Sequence, residues 1–294
     1  MDKIINKYPN ICRIFKLPLD KRLSHIQRTP TLEKESFVKE VNDQYNTSYE
    51  QFFSNKKVAI IGPSPSVRNT ENGEFIESNY DIIVRINKQW KHDIELNKYI
   101  GERTDVLYNC ISMCPESGGI IDTNYVIAHG IKYIISSIKY CYNDKQQRDK
   151  IFHDENRLNQ HIFFHLNNNG LVPFGIVDSS KYSKWDTDAG TRINTGLMAI
   201  LDILHMDVKE VYVKGFTFFK DGYLNNYRST INGNPVNEQN SNIEVNKFMN
   251  KCGNHDQRKQ WSLFKKILRD EHIRKKIVMD SALEQIMNLD KFDN

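Results

Sequence analysis

Several familiar signatures are missing from this chain of 294 residues. No apolar stretch approaches the roughly 18 residues that span a bilayer, and the N-terminus carries no signal-peptide core. A cytoplasmic protein with no transmembrane segment is the expectation. Of the five cysteines, only Cys110 and Cys114 lie close together, and no second pair or histidine cluster completes a zinc site. With Cys12, Cys141 and Cys252 they read as free thiols in a reducing compartment. Nor does charge accumulate. A net +4 suits an anionic small molecule but falls short of a nucleic-acid binder, which gathers its basic residues. The run Lys265, Lys266, Arg269, Arg274, Lys275, Lys276 alternates with apolar residues and reads as a solvated helix face.

What is present fits a globular protein, with 39% hydrophobic and 27% charged residues. The length allows one large or two modest domains. About one residue in ten is asparagine, so a single asparagine argues little by itself.

Two regions differ in pattern. Residues 1–55 are polar and carry Pro9, Pro18 and Pro30, and "TLEKESFVKEVNDQYNTSYEQFF" has the i, i+3, i+4 apolar spacing of an amphipathic helix. The segment is expected to form an N-terminal arm. From Lys56 onward, short β-branched and aromatic runs alternate with helical stretches. "VAII" (58–61), "DIIVRI" (81–86), "DVLYN" (105–109), "KYIISSI" (132–138), "HIFFH" (161–165) and "EVYVKGF" (210–216) are predicted as buried strands. "TGLMAILDILHMD" (195–207) is predicted as a helix. This alternation predicts an α/β fold, a Rossmann-like, mostly parallel sheet with helices on both faces. Ligands of such sheets bind beyond the carboxyl ends of the strands.

Candidate residues sit at those ends. "VAIIGPSPSVRN" runs from a strand into Gly62, with Ser64 and Ser66 supplying hydroxyls and N–H groups suited to a phosphate. It is neither G-x-G-x-x-G nor a P-loop, and an ordinary tight turn fits it equally well. Asn87 and Asn109 end the next two strands, and an amide can bind a phosphate or sugar oxygen without importing charge. Asn194, Thr195 and Gly196 open the predicted helix, where unpaired N–H groups and the helix dipole favour an anion. Asn194 or Thr195 would also serve as a plain N-cap.

These segments resemble a known family. "VAIIGPSPSVRNTENGEFIESNYDIIVRINK" followed by "GERTD" looks like the long motif of the sialyltransferases, glycosyltransferase family 29. "INTGLMAILDILHMDVKEVYVKGFTFF" resembles their short motif, and "NHDQRKQW" stands where the very short motif, His-x4-Glu, is expected. The layout is also similar to the bacterial family 42 sialyltransferases, and the resemblance covers roughly residues 56–268 of a domain taken as 56–294. Pro63 replaces the family's donor-holding asparagine, Gln260 replaces the glutamate, and the bridging cysteines of the animal enzymes are absent.

The resemblance implies a sialyltransferase-like enzyme that moves sialic acid or a related sugar acid from a CMP-activated donor to a glycan hydroxyl, with inversion and no metal cofactor. It implies His255 as general base, and an imidazole near pKa 6.5 accepts a proton at neutral pH. Gly62, Ser64, Ser66, Asn87, Asn109, Asn194, Thr195 and Gly196 would hold the donor, with Arg192 as a charge partner. Tyr223 and Tyr227, placed after the last predicted strand, would donate to the phosphate. His161 and His165 read as structural, and His205 as lying on a helix surface. Two alternatives stay open. Asp186 and Asp188, in a predicted loop, could hold a divalent ion for a metal-dependent nucleotide-diphosphate sugar transferase. Alternatively, Pro63 and Gln260 could mark a nucleotide- or carbohydrate-binding module without catalysis.

Overall fold

The computed structural model describes residues 2–111, 121–137, 154–167, 172–231, 233–252 and 255–292. Cys114, Cys141, Gly253 and Asn254 lie outside the described residues. The central feature is a sheet of seven strands: β1 (Lys57–Ile61), β2 (Ile82–Ile86), β3 (Val106–Asn109), β4 (Tyr133–Ser136), β5 (Phe174–Ile176), β6 (Glu210–Lys214) and β9 (Ile277–Met279). Their spatial order is β5-β4-β3-β2-β1-β6-β9, and each neighbouring pair runs parallel. A separate antiparallel pair joins β7 (Thr230–Ile231) to β8 (Asn234–Pro235).

Period-two alternation sends successive residues of β1 to opposite faces. Val58 and Ile60 join a core with Val84, Tyr108 and the helix Thr195–Leu204. Ala59 and Ile61 join another with Ile76, Ile100 and Tyr212. Both faces are therefore buried, which is why the strands read as continuous apolar runs rather than alternating ones. The predicted helix bounds at Thr195 and the α/β class both hold.

Three expectations change. "HIFFH" is not a strand but part of the helix Asp154–Asn167. Its Leu158, Ile162 and Leu166 recur at a spacing of four and form one apolar face, against Ile11, Ile14, Ile26, Phe37 and Val41 of the N-terminal segment. A short apolar run carries no periodicity of its own that separates strand from helix. The sheet is completed instead by β5 and β9, each three residues long. "WDTDAG" is not a loop. It ends the helix Ser179–Ala189, with Asp178 as N-cap and Gly190 in left-handed conformation at the C-cap.

The N-terminal segment contains the helix Thr31–Phe53 preceded by three shorter ones. Arg22 fastens them, donating to the carbonyls of Phe15 (2.8 Å), Leu17 (3.0 Å) and Leu166 (2.9 Å). Lys34, fully buried, donates to Asn159 Oδ1 at 3.0 Å. No helix among the described residues is long and apolar enough to cross a membrane.

His165 is 3% exposed and packs against the rings of Phe37, Tyr45 and Phe174. Burial pushes its pKa down to about 3. The unfolded chain then binds the extra proton between pH 6.5 and 3, so stability present at neutral pH is lost as pH falls through that window. Urea unfolding is expected to show about 2 kcal/mol lost from this group between pH 7 and pH 5. His165→Phe should remove that share of the pH dependence, and an unchanged slope would show that the ring is charged in the fold.

Candidate active site

The chain passes from β1 to β2 on one side of the sheet and returns as β6 on the other. β1 and β6 thus flank the switch point where open α/β sheets bind ligands. Their carboxyl ends approach closely. Gly62 N–H donates to Lys214 O at 2.7 Å, and a Cβ on Gly62 would stand 2.3 Å from Gly215 O and 2.8 Å from the Phe216 ring. Gly215 has φ +77°, and its own Cβ would meet Val67 at 2.4 Å. Asp280 holds this corner from below. Its carboxylate accepts from Gly215 N–H and Leu283 N–H, both at 2.8 Å.

After Gly62 the chain caps itself. Ser64 Oγ accepts from Ser66 N–H at 3.2 Å, lies 3.0 Å from Ser66 Oγ and accepts from Thr217 Oγ1 at 3.3 Å. Pro65 starts the short 3-10 turn Pro65–Asn69 that follows. The rigid, hydroxyl-bearing loop is thereby fixed before any ligand arrives.

The next strand end is fixed by Arg85, which is fully buried. Its guanidinium donates to Thr104 Oγ1 (3.0 Å), Gly101 O (2.7 Å) and Ile100 O (3.1 Å), and burial lowers its pKa to about 10. The arginine of "RIN" and the glycine and threonine of "GERTD" therefore form one architectural unit. Two residues on, Asn87 takes a left-handed φ of +50°, which asparagine tolerates better than most residues. Its Oδ1 accepts from Cys110 N–H at 2.9 Å, tying the end of β2 to that of β3. Ser137, past β4, donates to Thr195 Oγ1 at 2.9 Å.

Asn194 caps the helix Thr195–Leu204 by accepting from Leu197 N–H at 2.9 Å. Its own N–H donates to Gln260 Oε1 at 3.0 Å. Gln260 thus supplies an acceptor where the resemblance expects a carboxylate. Gly196 lets the helix start against Phe216, whose ring would lie 2.6 Å from an added Cβ.

These elements enclose a cavity of ≈ 270 Å³. Ser64, Asn87, Arg192, Asn194, Thr195, Gly196, Tyr223, Tyr227 and His255 line it. Gly62, Ser66 and Asn109 do not. Gly62 and Ser66 shape the wall behind it, and Asn109 is fully buried with Oδ1 accepting from Ile111 N–H at 2.7 Å. Tyr223 and Tyr227 stack at 4.9 Å between centroids. Burial raises both phenols, so they stay protonated donors. They follow β6, which is an interior strand rather than the last.

His255 sits at φ +56°. Its Nδ1 donates to Arg192 O at 2.9 Å, and this assigns the lone pair to Nε2. Burial pushes the imidazole down to about 4, aided by the charges of Arg192 and Arg228. The ring is neutral at pH 7.

No protein-family model matches the chain, and no curated protein matches it by sequence. Solved structures do. The chain is similar to sialyltransferases. A mammalian sialyltransferase in complex with Gal-beta-1-3GalNAc-ortho-nitrophenol shares 14% identity over 89% of this chain and 84% of its own, with TM-score 0.47. Cst-I, a monofunctional alpha-2,3-sialyltransferase from Campylobacter jejuni, shares 14% identity over 80% of each chain, with TM-score 0.48. CstII from the same organism, in complex with cytidine-5′-monophosphate, shares 14% identity over 82% of this chain and 91% of its own, with TM-score 0.46. At such identities the functional reading rests on the cavity itself.

Sequence reasoning missed Ser137, Phe216, Thr217, Phe218, Arg228 and Phe248, all lining residues. The signal for Ser137 was its place at a fourth strand end. Arg228 and Phe248 reach the cavity from segments beyond β6, and no local pattern marks them. Asp186 and Asp188 do not line it. Asp186 accepts from Ile193 N–H at 3.0 Å, and Asp188 pairs with Lys184 at 2.8 Å. Gly62→Ala is expected to lose about 1–3 kcal/mol of stability, the usual range for overpacking. A thermal melt within 1 °C of wild type would show that the β1 and β6 ends can separate without loss.

Proposed function

We propose that this chain transfers a sugar acid, sialic acid or a relative, from a CMP-activated donor to a glycan hydroxyl by one in-line displacement with inversion. One observation carries the reading. A helix N-terminus, two arginines, two stacked tyrosines and a neutral histidine face a single cavity at the sheet's switch point.

Each group has a chemical task in that reaction. The first-turn N–H groups at Thr195 and Gly196 and the dipole behind them favour an anionic phosphate or carboxylate. Ser137 donates to the Thr195 hydroxyl, which leaves the threonine's own proton available to a ligand oxygen. Tyr223 and Tyr227 offer phenolic protons to the phosphate as it leaves with the electron pair of the broken C–O bond. His255 Nε2 takes the acceptor hydroxyl's proton as the new C–O bond forms. Phe216, Phe218 and Phe248 supply apolar walls against sugar or base faces.

Asp186 and Asp188 are engaged elsewhere and carry no step, so the reading is metal-independent. Pro63 lines the cavity with its carbonyl committed to Leu224 N–H at 2.9 Å, so donor contact at that turn falls to Ser64.

Incubation with a panel of CMP- and UDP-sugars should release CMP from a sugar-acid donor and leave UDP-sugars untouched. Turnover should survive EDTA. His255→Ala is expected to lower turnover about 10²–10⁴-fold while CMP affinity changes little. Full turnover in His255→Ala would refute the base assignment, and release of UDP would refute the donor class.

A further inference from the structure

A second cavity, of ≈ 140 Å³, lies between the helix Thr31–Phe53 and the sheet and shares no lining residue with the one at the switch point. Asn46, Tyr49 and Glu50, three and four residues apart, turn one face of that helix into it. Asp178 and Lys181 reach it from the start of the helix Ser179–Ala189, and Asp202 from the helix Thr195–Leu204. Ile135, Ile176 and Met206 give it an apolar floor.

Asp202 sets the chemistry of this space. It is 4% exposed, and its Oδ2 accepts from Tyr108 OH at 2.7 Å. Tyr108 OH lies 2.6 Å from Tyr49 OH. Because Tyr108 gives its proton to Asp202, Tyr49 is the donor of this second bond, and both phenolic protons point toward the carboxylate. Such a chain favours the ionised form. Oδ1 accepts no hydrogen bond among the described residues. The one cation within ion-pair distance of it among those residues is Lys181, whose Nζ stands 4.0 Å away and 3.9 Å from Glu50 Oε1. Both separations are beyond hydrogen-bond reach. Asp178 is occupied as an N-cap, accepting from Ser180 N–H at 3.0 Å and Lys181 N–H at 2.9 Å. Two carboxylates thus face an ammonium that bonds to neither.

We propose that this second cavity binds a small primary alkylammonium, its charged head on Asp202 Oδ1 and its short hydrocarbon against Ile135, Ile176 and Met206. An ammonium carries three N–H donors and no acceptor, which suits a wall of two carboxylates and the Asn46 amide oxygen. Charge-assisted N–H···O bonds are roughly twice as strong as neutral ones, and burial of Asp202 strengthens them further. The size agrees, since a cavity of about 150 Å³ accepts benzene, a ligand of about six heavy atoms. A metal ion fits poorly here. The floor is apolar, and no group of three or more metal-binding side chains occurs among the described residues. Entry is open at the rim, where the Lys181 and Glu50 side chains are 35% and 63% exposed. Lys181 has no hydrogen bond to Asp202 to give up as a ligand enters. The site is separate from the proposed transfer reaction and does not depend on it.

The probe is n-butylammonium, titrated into the full chain by calorimetry at pH 7, with n-butanol as its uncharged counterpart. Saturable binding of the amine and none of the alcohol is expected. Asp202→Asn keeps the shape and removes the charge, and should weaken binding at least tenfold, on the order of a lost hydrogen bond to a charged group. Burial pushes the Asp202 pKa up to about 6. A proton there removes the charge that holds the amine, so wild-type affinity should fall about tenfold from pH 7 to pH 5. If Asp202→Asn fails to fold, this pH profile decides. The proposal is overturned by no saturable binding of the amine, by equal binding of the alcohol, by undiminished binding in folded Asp202→Asn, or by an affinity unchanged between pH 7 and pH 5. None of these results bears on the proposed function.

Discussion

The site depends on one close approach, that of the ends of β1 and β6 across Gly62 and Gly215. Two strands that leave a parallel sheet in opposite topological directions must diverge, and the crevice between them is where a ligand fits. How sharp that crevice is depends on how near the backbones start. With Gly62's Cβ position 2.3 Å from Gly215 O, no side chain fits at either place. Phe216 then fills the space beside Gly62 and presses as closely on Gly196, while Gly215 is confined by its φ of +77°, by Val67 and by Gly62 O. Three glycines, one of them far along the chain from the other two, are thus required by the Phe216 ring, by Val67 and by two facing carbonyls, and together they bring a helix N-terminus to the mouth of the switch point.

Around that corner, most of the polar motif residues spend their hydrogen bonds on each other. Arg85 holds the 100–104 turn, Asn87 holds Cys110, Asn194 holds Leu197 and Gln260 holds Asn194. Such bonds hold the loops in place, so a ligand meets groups already positioned. The groups that line the cavity beside them are fewer: the Ser64, Ser137 and Thr195 hydroxyls, two phenols, two guanidinium groups and one imidazole. This division explains how Gln260 can stand in for a carboxylate. The position needs an acceptor for one backbone N–H, and an amide oxygen supplies it.

Much of this was legible in the sequence, for identifiable reasons. The strands with both faces buried are runs of Val, Ile and Tyr, and their ends are marked by Gly, Asn and Ser, so the crevice could be placed residue by residue. The Thr195 helix could be bounded because its cap and its apolar run are adjacent. The failures share one cause, the absence of local periodicity. "FGI" and "IVM" become strands only because neighbours already present offer them an edge. "HIFFH" becomes helix because Leu158 and Leu166, outside the run, complete a face. Asn109 looked equivalent to Asn87, but its side chain turns inward to Ile111 N–H, a choice that depends on a backbone angle no composition reveals.

The electrostatics of the cavity follow from the same packing. Burial is the larger cause of the low imidazole pKa of His255, and the nearby arginine charges add to it. Because Nδ1 is committed to Arg192 O, the neutral ring keeps its lone pair on Nε2. Backbone geometry at Arg192 and burial of the loop at His255 thus fix one tautomer and one charge state together.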